Sequence, residues 1–269
     1  MADVSSAVAP VLLEVADGVA TVTFNRPAAM NSLDVGTKEA LLAALRQVAD
    51  DPGVRCVVLT GTGRAFCVGQ DLKEHAEILH TGSTNSLFDT VEEHYNPIVT
   101  TLAGMQKPVV AAVNGVAAGA GAGLAFACDL RIVADTAGYN LAFANIALSC
   151  DTGSSFTLQR LVGRAKAIEL LYFPRTVTAD EALALGLATR VVPAGELAEV
   201  VAELAVRLAR GPTVALGAIR SSLTFAADHT FTESLAFEAS QMTRTGQTAD
   251  HSAAVEAFLA REKPVYEGR

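Results

Sequence analysis

The sequence predicts an α/β fold built from repeated ββα units, and three observations carry that expectation. Short β-rich apolar runs recur at 56–60, 108–113 and 130–133. Stretches of helical periodicity stand between and after them, and a run of glycine and alanine at 114–123 follows one strand directly.

Taken in order, 11–24 holds two strand-like runs around Asp17-Gly18, a dipeptide suited to a tight hairpin turn. Residues 37–49 place Leu41, Leu42, Leu45 and Val48 at helical spacing and read as an amphipathic helix. The strand 56–60 leads into Gly61-Thr62-Gly63-Arg64-Ala65-Phe66-Cys67-Val68-Gly69-Gln70-Asp71-Leu72. The more polar stretch 72–105 contains His80-Thr81-Gly82-Ser83-Thr84-Asn85-Ser86 and breaks at Pro97; it is expected to form a mobile loop and a helix over the active-site mouth. After the strand 108–113, Asn114-Gly115-Val116-Ala117-Ala118-Gly119-Ala120-Gly121-Ala122-Gly123 reads as a strand entering a helix whose first turn offers bare backbone amides. Such an end attracts developing negative charge, and two turns of this kind can grip one oxygen. Beyond 179 the pattern turns almost wholly helical, through 197–208, 214–225, 231–242 and 252–261.

At 269 residues and 51% hydrophobic content the chain has ample material for a buried core, as one large domain or two small ones. Its apolar runs are short and interrupted, so no membrane span or membrane partner is expected. Met1-Ala2-Asp3-Val4 lacks the basic-then-apolar order of a secretory signal, and a cytoplasmic location is expected. Cys56, Cys67, Cys128 and Cys150 are widely spaced among apolar neighbours and read as reduced. The five histidines form no compact metal motif, so no metal is expected. A net charge of −9 without a basic stripe argues against nucleic acid as a partner. A single anionic ligand needs only a few cations, for which Arg26, Lys73 and Lys263 are candidates or else ordinary surface charges.

Ala65-Phe66-Cys67-Val68-Gly69-Gln70-Asp71-Leu72 and the 114–123 run, in this order and at this separation, resemble the two signature segments of the crotonase (enoyl-CoA hydratase/isomerase) superfamily. Thr23-Phe24-Asn25-Arg26-Pro27, Arg160-Leu161-Val162-Gly163, Ala182-Leu183-Ala184-Leu185-Gly186-Leu187 and Ala257-Phe258-Leu259 extend the likeness along nearly the whole chain. The resemblance implies a ClpP/crotonase-like spiral of ββα units over 1–195, with a helical C-terminal trimerisation region over 196–269. It also implies an acyl-CoA thioester as substrate, coenzyme A entering as part of it, no covalently bound cofactor, and a homotrimer or dimer of trimers. Carried over position by position, the oxyanion donors are the amides of Gln70 and Ala120, the latter standing where many relatives have glycine. Coenzyme A contacts fall on Arg26, Ala65, Phe66, Val68, Asp71, Leu72 and Lys73, with Phe258 and Lys263 completing the site of a neighbouring subunit.

The two glutamates typical of the hydratases become Gly123 and Asn145, neither of which takes up a proton at neutral pH. Asp151 remains, in Ile146-Ala147-Leu148-Ser149-Cys150-Asp151-Thr152-Gly153, and resembles the aspartate of the ring-epoxide and double-bond isomerase branch. It reads either as an acid/base that moves a proton between carbons or as a cap for the following helix. A nucleophilic role, as in 4-chlorobenzoyl-CoA dehalogenase, lacks that enzyme's histidine and tryptophan, which align with Asn96 and Phe143. An atypical hydratase and a non-catalytic acyl-CoA-binding homologue remain open. Glu92, Glu93 and His94 are candidates for a second proton-transfer group or a solvated face, and Phe88 and Tyr95 for the acyl pocket or plain packing.

Overall fold

Asp17 and Gly18 turn the chain at φ of 51° and 76° in the computed structural model, which describes residues 9–80 and 88–269. The turn joins β1 (Val11–Ala16) to β2 (Val19–Phe24) with Ala16 opposite Val19, the hairpin expected from the sequence. Asp34 then accepts from the Thr37 amide and caps α1 (Val35–Asp50), whose Leu41, Leu45 and Val48 are buried.

Three further strands run parallel to β2 and lie within two residues of the stretches read from sequence: β3 (Cys56–Gly61), β5 (Val109–Val113) and β7 (Leu130–Ala134). After each of them the chain lays a three-residue strand into a second sheet: β4 (Ala65–Cys67), β6 (Val116–Ala118) and β8 (Gly138–Asn140). Then β9 (Thr176–Thr178) closes that sheet antiparallel, and β10 (Arg190–Val192) joins β7. The orders β1-β2-β3-β5-β7-β10 and β4-β6-β8-β9 describe a spiral in which each turn gives one strand to each sheet.

Helices complete the turns. After β4 comes α2 (Leu72–His80), and a helical run follows from 88 that ends in α3 (Asn96–Gly104). After β6 comes α4 (Ala120–Phe126), and after β8 a 3₁₀ turn, Ala142–Ile146, precedes α5 (Ser154–Val162). The outer helices are α6 (Arg164–Tyr172), α7 (Ala179–Ala184), α8 (Leu197–Ala209), α9 (Thr213–Ala226), α10 (Phe231–Gly246) and α11 (Ala249–Ala260).

Four readings of the sequence change. Residues 114–123 do not pass directly from strand to helix, because β6 intervenes; three residues are too few for alternation to register. The tail beyond 179 contains β10, equally short and defined by its pairing with β7. The chain does not break at Pro97. A π turn, Val91–Tyr95, widens the helix just before it, and the helical run continues through the proline into α3. Finally, α8, expected in the C-terminal helical region, packs on β3, β5 and β7 with Leu197, Val201, Ala205 and Ala209 buried. The expected loop at 81–86 lies outside the described residues. Among the described residues no helix is long and apolar enough to cross a membrane.

Candidate active site

Two backbone turns converge at the edge of the second sheet. Gly69, at φ 82°, approaches α4 so closely that a Cβ there would lie 2.9 Å from the Ala118 carbonyl and 3.1 Å from the Ala120 nitrogen. A side chain on Gly121 would overlap the Cys67 carbonyl. Leu33 donates to the Gly69 carbonyl and accepts from the Asp71 amide, pinning the chain on both sides of Gln70. Among the described residues no backbone carbonyl accepts from the amides of Gln70 or Ala120. Two unspent donors in adjoining turns are the arrangement that stabilises charge on one oxygen.

Asp151 precedes α5 without capping it: the cap position is Gly153, no side chain caps the helix, and only the Asp151 backbone carbonyl accepts from Ser154. The Asp151 carboxylate instead accepts from the Thr152 hydroxyl at 2.7 Å. Burial pushes its pKa above the usual aspartate range, against the opposing pull of the Thr152 hydroxyl, its own amide and the charge of Lys38. Thr152 holds φ 52°, an uncommon conformation for a β-branched residue, and is buried.

Gly123 and Asn145 occupy very different surroundings. A Cβ on Gly123 would meet the Ser154 hydroxyl at 2.9 Å and the Thr152 Cβ and carbonyl at 3.0 Å, so the Asp151 loop fills the room a glutamate would need. Asn145 is exposed on the 3₁₀ turn.

The residues assigned to coenzyme A are distributed unevenly. Arg26 bonds the Ser32 carbonyl at 2.7 Å, Asp71 at 2.9 Å and Asp34 at 2.9 Å. Arg26 and Asp71 thus form one internal clamp, with Ser32 also donating to Asp71. Ala65 and Phe66 are buried in β4, with Phe66 edge-on to Phe24; Val68 is half-buried, and Leu72 and Lys73 are exposed at the start of α2. Phe258 is 81% exposed, and Lys263 is also exposed just beyond α11.

Burial alone would raise the Asp71 pKa, but bonds from Ser32, Arg26 and the Lys73 and Glu74 amides outweigh it and hold the carboxyl below the usual range. A depressed folded pKa contributes stability that is present above the unfolded value, about 3.9, and lost as pH falls through the folded one. Asp71→Asn is therefore expected to lower urea stability at pH 7 and to weaken the acid-side decline, as unfolding curves between pH 7 and pH 3 will show.

Tyr95 is buried, whereas Phe88 is half exposed against His75. Glu92 and Glu93 face solvent, and His94 Nδ1 bonds the Thr90 hydroxyl at 3.1 Å. Cys56, Cys67 and Cys128 are buried with thiols pushed by burial up to about 12; Cys150 is half-buried, and all four are free. Sequence reasoning missed Lys38, which is fully buried close to Gln70 and Asp151. Its signal was present: it stands one turn before Leu41 and two before Leu45, a charge on an apolar stripe.

Residues 14–269 match the family model described as enoyl-CoA hydratase/isomerase. The chain is 39% identical to the 1,2-epoxyphenylacetyl-CoA isomerase of Escherichia coli (strain K12), over 96% of this chain and 98% of that one. It is 32% identical to the (E)-benzylidenesuccinyl-CoA hydratase of Thauera aromatica, over 96% and 99%. A crystal structure from Mycobacterium abscessus, described as an enoyl-CoA hydratase/isomerase, superposes with a TM-score of 0.92 at 43% identity, covering 96% of this chain and all of that one. With the two-sheet spiral and the paired amide turns, these likenesses establish that the chain belongs to the enoyl-CoA hydratase/isomerase family and has the crotonase fold.

Proposed function

We propose that this protein isomerises an acyl-CoA thioester through an enolate, shifting a double bond or rearranging a ring. The thioester carbonyl oxygen accepts from the amides of Gln70 and Ala120. Asp151 removes a proton from one carbon, the electron pair moves onto the carbonyl oxygen, and collapse of the enolate takes the same proton back at another carbon. The observation that carries this reading is the Asp151 carboxyl, kept from capping α5 and raised in pKa by burial, as a base near neutrality requires. The likeness to 1,2-epoxyphenylacetyl-CoA isomerase supports it.

Hydration is the second reading, favoured by the hydratase relative and opposed by Gly123 and Asn145. The test is turnover of matched 2-enoyl- and 3-enoyl-CoA in deuterated water. Interconversion without 3-hydroxyacyl-CoA supports the isomerase; hydroxyacyl product formed with Asp151 dispensable supports the hydratase. Silence with retained thioester binding supports the non-catalytic alternative.

Coenzyme A is assigned to the 65–73 segment, with Phe258 and Lys263 reaching a neighbouring subunit. Phe231, Met242, Leu223 and Leu259 are each more than 70% exposed, and an apolar groove of about 790 Å³ lies beneath α9. So much uncovered apolar surface fits association with further copies of this chain. Sedimentation is expected to give a trimer or hexamer, and Phe258→Ala to weaken thioester binding.

A further inference from the structure

The Lys38 side chain is only 1% exposed, so its ammonium depends on protein partners. Its Nζ donates to the Thr90 hydroxyl at 2.7 Å and to Gln70 Oε1 at 3.3 Å. It stands 4.0 Å from Glu74 Oε2 and 5.4 Å from the centre of the Tyr95 ring. The Tyr95 hydroxyl donates to the same Gln70 Oε1 at 2.6 Å, and Gln70 Nε2 reaches Glu74 at 3.5 Å. Helix α1, the turn after β4, α2 and the helical run from 88 thus meet on one side-chain amide, that of the residue whose backbone N–H is assigned to the thioester.

An ammonium buried on an apolar helix face is costly unless partners compensate it. The charges that act on Lys38 are those of Glu74, Asp34, Asp151 and Asp71, with the Tyr95 ring beneath it and His94 reached through Thr90. Asp151 in turn accepts from the Thr152 hydroxyl and is electrostatically coupled to Lys38 and Tyr95. Lys38 therefore holds Gln70 by a hydrogen bond and acts on Asp151 through its charge alone.

We propose that Lys38 is a positioning residue of the reaction centre: with Tyr95 it holds Gln70 by its amide oxygen, and it supplies the positive field in which the Asp151 carboxylate works. This rests on the reading of Asp151 as the proton-transfer group. Burial lowers the Lys38 pKa, partly offset by the four carboxylates around it.

The test is direct titration of Asp151 by infrared difference spectroscopy in ¹³C-aspartate protein, its band assigned by loss in Asp151→Asn, alongside the pH profile of kcat/KM. Lys38→Met keeps the length of the stem and removes the charge; Lys38→Gln serves if the first variant does not fold. The Asp151 midpoint is expected to rise, since a cation acting on it favours the ionised form. The acid limb of kcat/KM follows it upward while KM changes little. Tyr95→Phe, which removes only the bond to Gln70, lowers kcat without raising KM. An unmoved midpoint in both Lys38 variants overturns the proposal. A raised midpoint with an unmoved acid limb upholds the field of Lys38 and overturns Asp151 as the acid/base.

Discussion

Asp151→Asn is expected to lower kcat for enoyl-CoA isomerisation by about 10²- to 10⁴-fold, the contribution of a placed acid/base. Thioester affinity should stay within about twofold of the parent, because the Gln70 and Ala120 amides proposed to grip the carbonyl are untouched. The same substitution bears on stability with a worked-out sign. The folded Asp151 pKa is raised by burial, so as pH climbs above the unfolded value the folded state carries a growing penalty for a buried charge. Asparagine removes that burden, and the melting temperature of the variant at pH 7 should equal or exceed that of the parent. A variant that loses turnover and also unfolds readily would point instead to a structural anchor. Stopped turnover with intact binding and undiminished melting temperature identifies chemistry.

Gly121→Ala is expected to have the largest effect on the fold. Its new methyl group would overlap the carbonyl of Cys67, a backbone atom at the end of β4 that has no freedom to swing aside. Separating the two segments moves α4 away from Gly69 and opens the gap between the Gln70 and Ala120 amides. Overpacking that displaces backbone is expected to cost about 3 kcal/mol or more. For a domain of this size that lowers the melting temperature by about 6–12 °C, with turnover falling even where the protein stays folded. Gly104→Ala is the control, since nothing lies within 4 Å of its new Cβ and no positive φ is required there. Calorimetry should separate the two by sign or by several degrees.

The elements longest in sequence were also the most legible. Leu41, Leu45 and Val48 announced α1, and the runs at 56–60, 108–113 and 130–133 announced the parallel strands, since burial on both faces demands uninterrupted apolar side chains. The second sheet was not legible: β4, β6, β8 and β9 have three residues each and exist because neighbouring turns of the spiral pair with them. Gly121 shows the difference at one position. The sequence indicates that something small stands there, and only the fold reveals that the reason is the Cys67 carbonyl.

The site divides in the same way. Local wording indicated two turns that present backbone amides, whereas the assignment of Gln70, Ala120 and Asp151 came from the resemblance to the family, since a carboxylate before a helix reads by itself as a cap. Whether Asp151 capped that helix was decided by the tertiary structure, through a Thr152-Gly153 turn that leaves the cap to Gly153 and turns the carboxylate toward Thr152. Arg26 and Asp71, 45 residues apart, both read as ligands for coenzyme A, but folding joins them in one clamp. Lys38, Gln70 and Tyr95 are likewise joined by hydrogen bonds from three separate segments. By itself the sequence determined the family, the order of the long elements and the chemistry available at each position. Only the tertiary structure decided which charges meet, because burial and distance between remote segments are properties of the packed chain and set both pKa and partner.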